Sequence, residues 1–478
     1  SYDEVAAIET HQLELSGVSL RVTPSRTYPH GPMLAHVLGY VGEVTPEELA
    51  RDEHYRPGDL IGKAGLEKGW EGDLRGVDGG QQIEVDALGR QLRILDEQES
   101  TPGHTLVLSI DLELQRAAEH AMGDRVGAIV ALDPRNGDVL AMVSEPSYDP
   151  NAFTGGIKPG LWKELLGNPR HPLTGRATQG QYPPGSTFKI IVAAAALEEG
   201  IINPFTRIRC PGYLRYGNHT FRCWKHGGHG SVNVHDALVG SCDVFFYQLG
   251  ARLGIDTIAR YARQFGLGAP TGIGVGSERG GLMPDTDWKK RRFGQPWHKG
   301  ETLSVAIGQG AVMATPLQMA QAVATIATGM RYTPRLVQRI EALDGSLVRE
   351  IAPQMASRLP VRETALKQVQ EALVDTVSRG TGNKARLRDI LVGGKTGTSQ
   401  VVTIGKTRLK AHQMKWNQRD HAWFVAFAPA EEPTIAIATL VEHADGGGGA
   451  VAAPITKDVL EAFFRLQQER EAVRLAQN

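Results

Sequence analysis

The stretch YPPGSTFKIIVAAAALEEG, Tyr182–Gly200, breaks the preceding chain with Pro-Pro-Gly and then opens an alanine-rich helix at Ser186. Positions i and i+3 of a helix share a face, so this spacing predicts that the Lys189 amine reaches the Ser186 hydroxyl. A lysine that is neutral when the proton arrives can activate such a serine, and burial or a second nearby cation moves it that way. By itself Ser-x-x-Lys is common, and a capping serine with an incidental lysine is the better account of it.

Two further short runs change that balance. Ser241–Asp243 (SCD) stands directly before the helical FFYQLGARLG, where it either caps a helix or pairs a hydroxyl with a carboxylate for proton transfer. The run LVGGKTGTSQVV (Leu391–Val402) alternates like a strand, and its glycines leave one side open to close approach. Lys395 is expected to offer a fixed positive charge there, with Thr396 and Thr398 pointing to one side.

Size and composition set the frame around these motifs. At 478 residues, two or three domains are expected; 41% hydrophobic and 22% charged residues describe an ordinary globular chain. The formal net charge of −1 and the lack of basic blocks give no electrostatic footprint for nucleic acid. The longest apolar run, Ile190–Leu197, is bounded by Lys189 and Glu198 and is too short for a transmembrane helix.

The texture changes near residue 103. Residues 1–102 are rich in Gly, Asp, Glu and Arg, with β-like pieces at Gly17–Val22 and Gln81–Arg90 and a capping-box pattern at Thr45–Asp52. They predict an irregular β-containing accessory domain, with Glu99–Thr105 as linker. Residues 103–466 read as strand and helix in alternation. Thr105–Asp111 is a strand, Leu112–Gly123 an amphipathic helix, and Gly127–Ser144 two apolar strands around an Asn-Gly turn. Two more strands, Ala422–Pro429 and Pro433–Glu442, lie near the end. Strands at both ends with helices between predict one antiparallel sheet closed by distant segments. The last helix, from about Ile455, is expected to become a charged helix end or tail over 467–478. Gly446–Gly449 reads as a turn rather than a phosphate loop, since no GK[ST] follows.

The order Ser186/Lys189, Ser241–Asp243, Lys395–Gly397 matches the S-x-x-K, S-D-N and K-T-G signature of penicillin-binding proteins and serine β-lactamases, with Asp243 replacing Asn. Over roughly Gly103 to Leu466 the chain resembles the transpeptidase region of class B penicillin-binding proteins. Gly127–Asn151 and Leu303–Ala320 match further, and the Gly-rich first hundred residues look like the pedestal of that family. The S-x-D motif and the loop Val401–Asp420 look most like the penicillin-binding protein 2 group, the elongation-specific peptidoglycan D,D-transpeptidases. The resemblance implies an α+β / α/β penicillin-binding transpeptidase fold: an antiparallel sheet sandwiched by helices, plus an all-helical subdomain.

It also implies a chemistry. A stem peptide ending in D-Ala-D-Ala would lie along the Lys395–Thr398 strand. Ser186 would attack the penultimate carbonyl with Lys189 as proton acceptor, and Ser241, oriented with Asp243, would relay a proton to the leaving nitrogen. The amides of Ser186 and Thr398 would stabilise the oxyanion, and Lys395, Thr396, Gly397 and Thr398 would bind the substrate's end. β-Lactams would trap Ser186. A serine β-lactamase and a β-lactam sensor carry the same motifs and stand as alternatives. The implied setting is the inner membrane with the catalytic domain in the periplasm and an anchor ahead of this chain. The implied partners are a RodA-type glycan polymerase and an MreC-type scaffold.

All three cysteines fall between Cys210 and Cys242, spaced C-x12-C-x5-H-x12-C with His229. Cys210, Cys223, His229 and Cys242 would make a Cys3His set suited to one structural zinc, with His226 able to replace His229. A disulfide with one thiol left over, or plain buried thiols, are the other readings. His219, His226 and His235 are expected at surface or turn positions. The basic loop with Lys406, Arg408, Lys410, Lys415 and Arg419, flanked by His421 and His443, reads as a solvated segment.

Overall fold

The computed structural model describes residues 2–11, 15, 18, 25–87, 91–402 and 411–477. The expected strand at Gly17–Val22 lies, apart from Val18, outside the described residues, as do Lys406, Arg408 and Lys410.

The catalytic region is built on five antiparallel strands. In chain order these are β1 (Gly127–Leu132), β2 (Val139–Glu145), β3 (Gly393–Ser399), β4 (His421–Ala428) and β5 (Ile435–Val441). Across the sheet they run β3-β4-β5-β1-β2, so the Lys395 strand is an edge and its partner comes from later in the chain. The register pairs Lys395 with Val425, Val425 with Ala438, Ala438 with Val130 and Val130 with Met142.

Both faces of this sheet are covered, which is why the strands read as continuous apolar runs. Val130, Trp423, Val425, Ala438 and Leu440 belong to one core cluster, and Ile129, Phe424, Ala426 and Ile437 to the other. Successive side chains point to opposite faces, so β1, β2, β4 and β5 each feed both cores. On one face lie α1 (Leu112–Met122) and α6 (Ala452–Gln477). α1 is capped by Asp111, whose carboxylate accepts from the Glu113 and Leu114 amides. On the other lies α5 (Pro316–Thr328), entered through a capping box at Thr315. Beyond it stands a helical layer containing α2 (Lys189–Glu198), α3 (Val234–Val239) and α4 (Asp243–Leu253). Residues Lys189–Leu197 of α2 are buried all round, which explains the alanines: small side chains let neighbouring helices approach while favouring helix. Ile190, Ile191, Val192 and Leu197 each contribute about 1.5–3 kcal/mol by leaving water.

The charged C-terminal segment is the end of a helix: α6 continues unbroken to Gln477 and becomes exposed after Leu466. One expectation needs correcting. The strand Thr105–Leu108 does not join the main sheet; it pairs with Val337–Glu341 in a separate three-stranded sheet.

The first hundred residues form short elements. Val41–Glu43 pairs with Leu60–Gly62, and Gly80–Val85 with Gln91–Gln98. The capping box at Thr45 is present but opens only the short helix Pro46–Leu49. The segment 99–105 is tied down, with Val77 bridged to Thr101 and His104 N–H donating to the Asp73 carbonyl. This part docks on the catalytic region through Tyr28 and Asn151, which exchange two hydrogen bonds of 2.9 Å, and through His36, whose Nε2 donates to the Pro172 carbonyl at 2.8 Å.

Candidate active site

Ser186 sits in a 3-10 turn, Gly185–Phe188, that leads straight into α2. The turn is possible because Gly185 takes φ +56°, and a Cβ there would stand 2.6 Å from the Thr398 carbonyl oxygen. Gly308 approaches from the other side, accepting from the Gly185 N–H at 2.8 Å. The Pro183 carbonyl accepts from Trp423 Nε1 at 3.0 Å and from the Ser399 hydroxyl. The Pro-Pro-Gly therefore does more than break the chain, since it presses the Ser186 turn against the β3 edge.

Lys189 is fully buried, and its amine donates to Asp243 Oδ1 at 2.7 Å, the Ser241 carbonyl at 2.9 Å and the Ser241 hydroxyl at 3.3 Å. The first and second motifs are thus joined through the lysine. Ser241 ends α3 with φ +53°, in the left-handed position that glycine usually fills. The Cys242 N–H donates back to Ala237 and the Ser241 N–H to Leu238, completing the helix end. Asp243 begins α4, where a carboxylate is favoured by the helix dipole, and its Oδ2 accepts from the Trp224 backbone N–H at 2.9 Å.

Lys395 is completely buried, and burial, aided by the neighbouring Lys189 charge, pushes its amine well below the ordinary lysine range. It is therefore not a solubilising lysine on an exposed strand edge. Thr396 and Thr398 do share a side. Thr396 exchanges a 2.9 Å hydrogen bond with Thr381, and Gly447 and Gly449 pack against the Thr398 and Thr396 side chains. The Thr398 carbonyl accepts from Gln309 Nε2 at 3.1 Å. Gln309, Thr381 and Trp224 were not singled out in the sequence. The first lies in the matched run Leu303–Ala320, whereas the other two carry no local signal.

The cysteine window closes into one cluster. Cys210 ends the strand Ile208–Cys210, which pairs with Gly230–Val232, and Gly212 and Gly228 take positive φ to let the two loops touch. The ligand atoms of Cys210, Cys223, His229 and Cys242 all lie within 4.8 Å of one another. His229 Nδ1 is 3.5 Å from the Cys223 sulfur and 3.7 Å from that of Cys210, while its Nε2 is held by the Gly240 carbonyl at 3.1 Å. These separations suit a tetrahedral ion with sulfur and nitrogen ligands, and a carbonyl on the far imidazole nitrogen is the usual support for such a ligand. Cys242 and Cys223 share a hydrogen bond that pushes the Cys223 thiol down and the Cys242 thiol up. All three cysteines are free, so the disulfide reading fails here, and the exposed His226 lies outside the cluster. His235 is partly exposed and bonded to Asp375. His421 is half-buried at the start of β4, its Nδ1 accepting from the His443 N–H at 3.1 Å.

A five-stranded sheet with a serine turn at its edge, two buried lysines and a Ser-x-Asp turn defines a penicillin-recognising serine acyltransferase. The family model for the penicillin-binding protein transpeptidase domain matches residues 127–461, and that for the penicillin-binding protein dimerisation domain matches residues 1–108. The chain belongs to the penicillin-binding protein transpeptidase family, as a class B member of the penicillin-binding protein 2 type. It is 40% identical to the peptidoglycan D,D-transpeptidase MrdA of Acinetobacter baumannii over 478 residues, covering 99% of this chain and 70% of that protein. With MrdA of Escherichia coli K12 it shares 36% identity over 471 residues, covering 96% and 74%. The crystal structure of Pseudomonas aeruginosa PBP2 in complex with WCK 5153 superposes with a TM-score of 0.79 at 38% identity, covering 92% of this chain and 90% of that one. Helicobacter pylori PBP2, in its complex with MreC, gives 0.82 at 33% identity, covering 96% and 83%. The fold is that of the penicillin-binding transpeptidases, and the activity is that of a serine-type peptidoglycan D,D-transpeptidase.

Proposed function

We propose that Ser186 is the acylated residue and that the three motifs divide the reaction among them. Ser186 Oγ attacks the penultimate D-Ala carbonyl while its proton passes to Lys189. The Ser186 and Thr398 amides stabilise the oxyanion, a term worth about 3–4 kcal/mol per donor. The carbon–nitrogen bond to the terminal D-Ala then breaks. Ser241, within 3.3 Å of the Lys189 amine, delivers the proton to the leaving nitrogen. An amine from a second stem peptide attacks the ester, an amide forms, and Ser186 is regenerated. Lys395, Thr396, Gly397 and Thr398 hold the donor's carboxylate, whose charge would favour the ammonium form of the buried Lys395.

The observation that carries this reading is the convergence of segments far apart in the chain: Lys189 is bonded to Ser241 and Asp243 while Gly185 abuts Thr398. The test is mass spectrometry with a labelled penicillin. One adduct on Ser186 is expected, lost in Ser186→Ala; labelling elsewhere would refute the assignment. An adduct that turned over rapidly in water would instead favour a β-lactamase.

We also assign one zinc to Cys210, Cys223, His229 and Cys242. When bound it serves as a crosslink rather than a reactant, joining the Cys210–Cys223 loop to Cys242 between Ser241 and Asp243. The setting that fits is cell-wall elongation, with the catalytic region in the periplasm and anchored at the inner membrane. A RodA-type polymerase and an MreC-type scaffold are the partners. Helicobacter pylori PBP2 in complex with MreC, and a 38% identical chain from a peptidoglycan synthase complex, support this choice. Among the described residues no helix is long and apolar enough to cross a membrane.

A further inference from the structure

We propose that Trp224 is a positioning residue for Ser241, strapping the Ser241–Asp243 turn into the geometry its proton relay requires. Trp224 belongs to none of the three motifs and ligates nothing, yet it touches the second motif at three points. Its indole Nε1–H donates to the Gly240 and Ser241 carbonyls, each at 3.1 Å, and its backbone N–H donates to Asp243 Oδ2 at 2.9 Å.

The turn needs such a hold. Ser241 sits at φ +53°, a conformation that a residue with a Cβ adopts only when its surroundings over-determine it. Lys189 grips the turn through the Ser241 carbonyl and Asp243 Oδ1, and Trp224 grips the same carbonyl and the other carboxylate oxygen. With both in place, neither the Ser241 carbonyl nor the Asp243 carboxylate can swing without losing a bond, so the residue that carries the hydroxyl is held where that hydroxyl lies 3.3 Å from the Lys189 amine. The strap is itself anchored, because Trp224 follows Cys223 directly and its ring meets His229 edge-on at 5.6 Å.

Burial does not explain this tryptophan. The side chain is 53% exposed, and the inward end is the polar N–H. A tryptophan present for its apolar surface would be placed the other way round, with the ring inside.

The inference rests on the reading of Ser241 as proton carrier, and a double-mutant cycle separates the two. Acylation by a fluorescent penicillin is followed in the full chain, resolving the noncovalent dissociation constant from the acylation rate constant. Trp224→Phe keeps an aromatic ring and the backbone N–H and removes the indole N–H with its five-membered ring. It should slow acylation about ten-fold while leaving the dissociation constant and the melting temperature unchanged. In a Ser241→Ala background the same substitution should cost nothing further, because its effect passes through the hydroxyl. A wild-type rate in Trp224→Phe, or a ten-fold loss that persists without the Ser241 hydroxyl, would overturn the proposal. A wild-type rate in Ser241→Ala alone would remove the relay reading beneath it, and that outcome is read on a different variant.

Discussion

Asp243 shows how one atom changes the second motif. Both of its carboxylate oxygens accept from donors, Oδ1 from Lys189 and Oδ2 from the Trp224 N–H. An asparagine has one oxygen and one NH2, so either rotamer turns a donor against a donor. Asp243→Asn is therefore expected to cost on the order of 1–3 kcal/mol. About half or more of that should appear in the transition state, slowing penicillin acylation roughly ten-fold, about 1.4 kcal/mol. Stopped-flow acylation checks this, and an unchanged rate would mean the two donors do not matter to chemistry. Lys395 teaches the converse lesson, since its residue type is plain in the sequence but its charge is set by what surrounds it.

Among the elements, the joint between the Ser186 turn and β3 is the most exacting. A Cβ at residue 185 meets the Thr398 carbonyl at 2.6 Å, and the backbone there is left-handed. Gly185→Ala must either shift the turn or spread it from the strand. A loss of at least about 2 kcal/mol in stability is expected, combining left-handed strain with overpacking. Acylation should fall further than stability does, because the displaced atoms are those beside Ser186. Thermal melts and labelling, run together, distinguish this from simple unfolding. Gly448 follows the same logic: a Cβ there would lie 1.9 Å from the Trp423 carbonyl of β4 and 2.5 Å from the Gly397 carbonyl of β3, so the loop reaches the sheet at that point only without a side chain.

Two predictions belong to the whole molecule. The proposed zinc ties the strand Ile208–Cys210 to the start of α4 across the cysteine window, so metal binding is folding energy. Cys223→Ser should lower zinc content from about one per chain to near zero and reduce the melting temperature by several degrees. Elemental analysis of the purified chain decides the first point. The second prediction concerns His36, where the first hundred residues meet the catalytic region. Burial holds its imidazole down at about 4, below the ordinary 6.5. Between those values the unfolded chain binds a proton that the folded one does not. This contribution is therefore fully present above pH 6.5 and lost as pH falls toward 4, amounting to about 3 kcal/mol. His36→Gln should flatten that part of the stability–pH curve by comparison with wild type. Identical slopes would show that His36 does not titrate with unfolding.

The sequence by itself determined the order and spacing of the three motifs, the hairpin around Asn136-Gly137, the apolar strands near the end and the cysteine–histidine set. Each of these is local: turn geometry, side-chain alternation and ligand chemistry are properties of a few neighbouring residues. Only the tertiary structure decided that Lys189 bonds Ser241 and Asp243, that Lys395 is stripped of water, and that Trp224 closes over Ser241. It also decided that His229 rather than His226 joins the sulfurs, and that the last helix runs on past the core. Desolvation and long-range contact depend on what the fold brings alongside a residue, and nothing in the ten residues around Trp224 or Thr381 encodes their neighbours.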